Sequence, residues 1–316
     1  MQTNSIHSLP DVARDAQADA AGALDWVGME NIALPVRLVG ADGATVQSAA
    51  RVSAFVNLAD AQARGIHMSR LYLHLDRALG AEALTPAALR RLLHDFLDSH
   101  SGLSNRAMVR IAFEHLLRRP ALVSDNSGWK AYPVEISATL AQGHFALELQ
   151  VDVLYSSTCP ASAALARQVV QNRFVADFAR GKALDHAAVE HWLGSEQGIS
   201  ATPHSQRSTA QVRVRLAPGF DLPIAEFVDA IEAALATPVQ TAVKREDEQA
   251  FARLNGENPM FCEDAARRIR SVLDVDERIS DFHIRVAHHE SLHAHDAVAV
   301  ASKGVAGGYA AGDAYI

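Results

Sequence analysis

The chain runs through one order of hydrophobic periodicities twice, and that repetition limits its fold more than any single motif. In the first half, an extended stretch over residues 33–39 is followed by a turn at Ala41-Asp42-Gly43 and a second extended run over 45–58, a hairpin pattern. Residues 71–78 come next. Thr85-Pro86 then open a helix in which Leu89, Leu92, Leu93, Phe96 and Leu97 recur at i, i+3, i+4, i+7 and i+8. Extended runs at 107–117 and 134–140, joined by a loop containing Ser124-Asp125-Asn126-Ser127-Gly128, complete this half. The second half begins with Phe145, Leu147, Leu149, Val151 and Val153 alternating along a strand over 145–155. A helical segment to about residue 192 and a loop over 194–208 lead to a strand at 209–216, a helix at 224–235, a helix near 261–273, and strands at 282–287 and 297–301. Apart from the helical insertion at about 160–200, each half reads strand, strand, helix, helix, strand, strand. The predicted fold is therefore α+β, with antiparallel sheets in two tandem modules, 25–142 and 143–316. Residues 1–24, polar and rich in Ala and Asp, are expected to form a flexible tail.

Composition narrows the function classes. The only two cysteines, Cys159 and Cys262, are far apart and form no CxxC pair, which argues against a disulfide framework or zinc finger and for a reducing compartment. No apolar run approaches a membrane span, and the first residues lack the basic start and apolar core of a signal peptide, so a cytoplasmic protein without a membrane partner is expected. A formal net charge of −8 argues against bulk nucleic-acid binding. An anionic small ligand needs only a local basic pocket.

Four polar clusters could carry chemistry. The first is Ser157-Thr158-Cys159-Pro160, where a strand runs into a helix. Pro160 suits the first helical position. Cys159 then falls at the N-cap, facing free backbone N–H groups, a setting that favours the thiolate as metal ligand or nucleophile. A buried structural cysteine is the competing reading. The second cluster, Thr202 to Ser208, contains His204 and Arg207; a loop histidine is ordinarily a surface residue, and Arg207 could face an anion. The third, Lys244-Arg245-Glu246-Asp247-Glu248, reads as a solvated charged face. The fourth, His288 to Asp296, places four histidines and two carboxylates within nine residues between the last two strands. It offers metal ligands or general bases, or else a solvated turn, and it is not an HExxH helix. Cysteine, histidine and glutamate drawn from separate elements would match a catalytic zinc site with an open fourth position.

Taken together, Trp26-Val27-Gly28-Met29, Gly65-Ile66-His67-Met68-Ser69-Arg70, Ser157-Thr158-Cys159-Pro160, Pro203-His204-Ser205-Gln206-Arg207-Ser208, Lys244 to Glu248 and Glu290-Ser291-Leu292-His293 resemble the prokaryotic GTP cyclohydrolases of type IB. The resemblance runs in order from about residue 25 to residue 303. It implies a tunnelling fold, two ββααββ modules per chain assembling into barrels in a homotetramer. It also implies conversion of GTP and water to 7,8-dihydroneopterin triphosphate and formate, leading towards folate or queuosine. By motif, Cys159 and His204 would be metal ligands, with Glu248 a third; Zn²⁺ suits this set, and Mn²⁺ or Fe²⁺ are alternatives. Glu263 or Glu290 would anchor guanine, with Glu263 preferred, and Cys159, Glu290 and His293 would carry the chemistry. His67, Arg70, Arg207, Lys244 and Arg245 would bind substrate. The 44 residues between Cys159 and His204 depart from compact relatives and are read as a helical insertion. Two rivals share the scaffold: a nitrile reductase of queuosine synthesis, and a non-catalytic purine- or metal-binding module.

Overall fold

The computed structural model describes residues 18, 20–40 and 43–315. Among them, eight strands and seven α-helices follow one another as β1 (Leu24–Val39), β2 (Thr45–Leu58), α1 (Met68–Ala81), α2 (Pro86–Ser99), β3 (Arg106–Pro120), β4 (Ser127–Ala141), β5 (His144–Thr158), α3 (Pro160–Asp177), α4 (His186–Leu193), β6 (Ser205–Leu216), α5 (Ile224–Leu235), α6 (Arg245–Glu257), α7 (Cys262–Leu273), β7 (Ile279–His288) and β8 (Ala297–Ser302). The strands bond in sequence order, β1 through β8, in one sheet. The pairs β1–β2, β2–β3, β4–β5 and β7–β8 are antiparallel. The predicted α+β class is thus observed, and the order of elements recurs except that the second half carries three helices, α5 to α7, between β6 and β7 where two were expected. Most of the expected tail, and Ala41 and Asp42 of the expected turn, lie outside the described residues.

The chain forms two compact units. The first comprises Met1–His115, Ala131–Val151 and Val214–Ile224. Its core is the alternating inner face of the strands, with Val52, Ala54, Val56, Val109, Ile111, Ile136 and Leu149 fully or almost fully buried, together with the apolar stripes of two helices. α1 buries Leu71, Leu75 and Leu79, and α2 buries Leu89, Leu92, Leu93 and Phe96. Thr85 caps α2, its hydroxyl accepting the Ala88 N–H at 3.1 Å, and Pro86 occupies the first turn, as the Thr-Pro signal predicts. Gly28 lies so close to β2 that a Cβ would collide with the Ala54 carbonyl, which accounts for glycine inside this strand.

The second unit comprises Leu116–Lys130, Asp152–Arg213 and Ala225–Ile316. Its core joins Phe227, Val228, Ile231 and Leu235 of α5 with Ala265, Ala266, Ile269 and Leu273 of α7 and Phe282, Ile284 and Val286 of β7. The helical insertion is observed as α3 and α4. Phe174, Phe178 and Trp192 form a small aromatic cluster within it, with centroids 4.8 to 5.9 Å apart. Asp177 ties its two helices, accepting from Arg173 Nε at 2.7 Å and Trp192 Nε1 at 2.9 Å.

Several expectations are corrected. The charged run after Lys244 is not merely a solvated face but the first turn of a whole helix, α6. Its organiser is Asp247, a buried carboxylate accepting from Lys244 N at 2.8 Å, Val123 N at 2.8 Å, Ser124 N at 2.9 Å and Ser124 Oγ at 2.6 Å. These bonds to the unpaired N–H groups of a helix start and a loop outweigh the weak apolar periodicity. Strand β1 starts at Leu24 rather than residue 33; register shifts near Leu24/Val27 and Met29/Ile32 break its alternation. Ser127 and Gly128 belong to β4, and Gly128 is small because a Cβ there would strike Thr241. Strand β6 begins at Ser205, four residues earlier than expected.

Candidate active site

Strand β5 ends at Thr158, and Cys159 turns the chain into α3 with extended backbone angles (φ −67°, ψ 122°). Pro160 is the first helical residue, and the Cys159 sulfur accepts the Ser162 N–H at 3.5 Å, as the sequence predicts for an N-cap thiol. The insertion returns to its own starting point. Cys159 N–H donates to the His204 carbonyl at 3.3 Å, and His204 N–H donates to Ser162 Oγ at 3.1 Å. Residues 45 positions apart in sequence therefore sit side by side, and the long gap does not separate the cysteine from the histidine. Met260 N–H donates to the Thr158 carbonyl at 3.0 Å, bringing the start of α7 to the same strand end.

The His204 ring has two neighbours on one nitrogen. Gln206 Oε1 is 3.0 Å from Nδ1 and Glu290 Oε2 is 3.7 Å from it, with side chains only 19% (His204) and 12% (Glu290) exposed. Glu290 is brought there because the loop after β7 is pinned to β6. His289 N–H donates to the Arg207 carbonyl at 3.3 Å, and the His289 ring bridges Thr209 Oγ1 at 2.9 Å and Asp296 at 3.1 Å. His293 lies further along this loop, exposed and stacked on His295 with centroids 5.0 Å apart.

Beneath them lies a polar layer that the sequence does not announce. Gln206 Nε2 donates to Ser157 Oγ at 2.9 Å, Ser157 Oγ is 2.8 Å from Ser208 Oγ, and the Tyr155 hydroxyl is 2.9 Å from His288 Nε2. All five residues are buried. Burial holds the Tyr155 phenol well above its ordinary value, and burial pushes His288 down to about 4 despite the nearby carboxylate of Glu263. His288 reads in the sequence as part of the histidine-rich loop, but it is the last residue of β7, facing inwards. Tyr155 and Gln206 fall on the buried side of their strands, where alternation records burial but not hydrogen bonding.

Glu263 stands in the first turn of α7, exposed, and accepts the Cys262 thiol at 3.3 Å. Among the described residues, no three His, Cys, Asp or Glu side chains converge in a metal-binding geometry. Cys159 and His204 come together, but Glu248 is exposed on α6. A thiol and an imidazole on residues joined through their backbones nevertheless offer donors of the kind that would suit a divalent ion such as Zn²⁺. Of the expected substrate-binding cations, Lys244 pairs with Asp125 at 2.8 Å, while Arg207 and Arg245 are exposed. In the first unit, His67 precedes α1, and Arg70 donates to the Ser99 carbonyl at 2.6 Å, closing the C-terminal end of α2.

Comparison with known proteins shows the family. A family model described as "Type I GTP cyclohydrolase folE2" matches residues 9–299. The "GTP cyclohydrolase FolE2" of Pseudomonas putida (strain GB-1) is 56% identical over 292 residues, covering 92% of this chain and 94% of the relative. That of Pseudoalteromonas translucida (strain TAC 125) is 51% identical over 304 residues, covering 96% and 100%. Among solved structures, the uricase of Arthrobacter globiformis superposes with a TM-score of 0.51 at 10% identity, over 91% of this chain and 96% of that one. This last likeness bears on fold alone, and it bears out the tunnelling fold.

Proposed function

The chain belongs to the FolE2 family of type I GTP cyclohydrolases, and from that premise we propose that the Cys159–His204–Glu290 cluster is where its reaction takes place. The protein is a GTP cyclohydrolase of folate biosynthesis, an enzyme that converts GTP and water to 7,8-dihydroneopterin triphosphate and formate. Its finer assignment is to the prokaryotic type IB, as a cytoplasmic homotetramer. The observation that carries the site is the backbone bond that seats His204 against Cys159, with Glu290 beside the same ring.

Cys159 and His204 would hold a divalent metal, Zn²⁺ by donor chemistry, with Mn²⁺ or Fe²⁺ as alternatives. Glu248, exposed on α6, would be the third ligand in an assembly that brings α6 to the site. Held there, such an ion would supply Lewis-acid chemistry, lowering the pKa of a water from about 15.7 towards about 7 for attack at guanine C8. Glu263 receives guanine N1–H and the exocyclic amine in a charge-assisted bidentate contact. Glu290, half-buried against His204, accepts and returns protons during ring opening, and His293 serves the later proton shuttling on the ribose. Arg207 and Arg245 would face the triphosphate, with Lys244 as a further candidate for its charge.

The test is formate release from GTP before and after chelation. Turnover is expected to vanish in the chelated protein and to return with one of the three ions. Full formate release from protein verified free of metal would overturn the metal reading while leaving the family assignment intact.

A further inference from the structure

We propose that Gln206 is a positioning residue: its side-chain carbonyl holds His204 as the tautomer protonated on Nδ1, leaving the lone pair on Nε2, and the buried chain Ser157–Ser208–Tyr155–His288 holds Gln206 in that orientation. The inference deepens the reading of His204 as a metal ligand and rests on it for its consequence, though not for its geometry.

The contacts form a continuous file. His204 Nδ1 is 3.0 Å from Gln206 Oε1, Gln206 Nε2 is 2.9 Å from Ser157 Oγ, and Ser157 Oγ is 2.8 Å from Ser208 Oγ. Ser208 lies close enough to the Tyr155 phenol to favour its charged form, and the Tyr155 hydroxyl is 2.9 Å from His288 Nε2. Each member is buried or nearly so, so each polar atom must find its partner within the file. Hydroxyls both donate and accept, and the file can therefore run in either of two directions. In one, His204 Nδ1–H donates to Gln206, and every later group donates onwards to a bare His288 Nε2. In the other, the amide is turned over, the hydroxyls reverse, and the His204 proton sits on Nε2.

Glu290 decides between them. Its carboxylate oxygen lies 3.7 Å from the same Nδ1. A carboxylate facing an N–H is attracted, and one facing a nitrogen lone pair is repelled. The far end permits this direction, since burial holds His288 neutral and its Nε2 can then accept the Tyr155 hydroxyl; the choice between the two directions rests on Glu290 alone. The file carries orientation and not a proton, because an amide interposed at Gln206 cannot pass one on without changing its own bonding. An imidazole that donates from one nitrogen to a fixed acceptor presents its other nitrogen as the stronger ligand.

Two measurements test this. A neutron map of the metal-free protein, exchanged in D₂O, is expected to show deuterium on His204 Nδ1 and none on Nε2; deuterium on Nε2 would overturn the inference whether or not any metal binds. Titration of metal-free protein with Co²⁺ gives the consequence. Gln206→Met is expected to weaken Co²⁺ binding by about ten- to a hundredfold. Gln206→Glu, which offers an acceptor to the same N–H, is expected to bind close to wild type. Unchanged affinity in Gln206→Met, or equal losses in both variants, would refute the positioning role. If Gln206→Met fails to fold, as judged by its melting curve, Gln206→Glu and the neutron map still decide. A wild-type protein that binds no Co²⁺ would undo the metal reading alone, leaving the tautomer to the neutron map.

Discussion

The two cysteines each stand at the start of a helix, yet their surroundings give them opposite chemistry. Cys159 is the N-cap of α3, half-buried, with no acidic residue in the first turn behind it. Its sulfur is an acceptor, taking the Ser162 N–H, and His204 is bonded to its backbone. Cys262 is the first residue of α7, buried, and followed at once by Glu263 and Asp264. Its sulfur is a donor, its S–H hydrogen-bonding to Glu263, and the thiol is pushed up to about 11 by burial first and then by Glu263. A helix start favours a thiolate only when no carboxylate neutralises the effect. At neutral pH, Cys262 keeps its proton and behaves as a small core residue.

The strongest way to break this contrast is to remove each sulfur in turn. Cys159→Ala is expected to abolish formate release while the melting temperature stays near wild type, since a half-buried side chain at a helix cap adds little core. Cys262→Ala is expected to keep most activity and to lose some stability through the small cavity it leaves. Assays of both variants at saturating GTP would show it, and the reverse ranking would mean that the site is built around α7 instead.

The contrast also marks how far the sequence can be read. The Cys159 cap is legible because its signals are local: an alternating strand, a proline at the first helical position, and an apolar helical pattern behind it. The α2 cap and the order of elements are legible for the same reason. The environment of Cys262 is not, because what sets it, burial against Tyr155 and β7, depends on contacts between residues distant in sequence. Helix α6 escapes for a related reason: its buried Asp247 is held by Val123 and Ser124, more than a hundred positions away. Gln206 and His288 are hidden more thoroughly, since hydrophobic alternation ranks a buried position by what should fill it and offers no signal for a polar group that has found partners. The motif resemblance picks out His204 and Glu290 as site residues. The bonds that bring them together became visible only in the fold.

A second prediction sharpens the contrast by titrating the layer between the cysteines. His288 has a folded value of about 4 against 6.5 unperturbed, lowered first by burial. Because its folded value is depressed, the unfolded chain takes up a proton as pH falls below about 6.5, whereas the folded chain does so only near 4. Stability is therefore lost progressively across that window, by about 3 kcal/mol in total, with no contribution above it. Denaturant titrations at pH 7 and pH 4.5 should show a smaller loss in His288→Gln, whose amide can still accept the Tyr155 hydroxyl proton. An equal loss in both proteins would place the acid sensitivity elsewhere.

The smallest effect concerns Glu263, which stands at the centre of the comparison because it both restrains Cys262 and is the proposed anchor for guanine. A carboxylate in the first turn of a helix is also what the helix dipole alone would favour, so its position does not decide between the roles. Glu263→Gln keeps the shape but removes the charge and one acceptor. If Glu263 holds guanine, one base N–H is left badly paired, a loss of about 1.5–3 kcal/mol, or roughly ten- to a hundredfold in affinity. His293→Ala is expected to leave affinity largely unchanged while turnover falls, because the role proposed for it is to move protons and not to hold the base. Calorimetric titration with a non-hydrolysable GTP analogue separates the two variants. The same substitution should release the Cys262 thiol towards its ordinary range, because the carboxylate that holds its proton is gone. A variant with wild-type affinity and a freed Cys262 would confine Glu263 to the helix start and move the guanine anchor to Glu290, the remaining half-buried carboxylate beside His204.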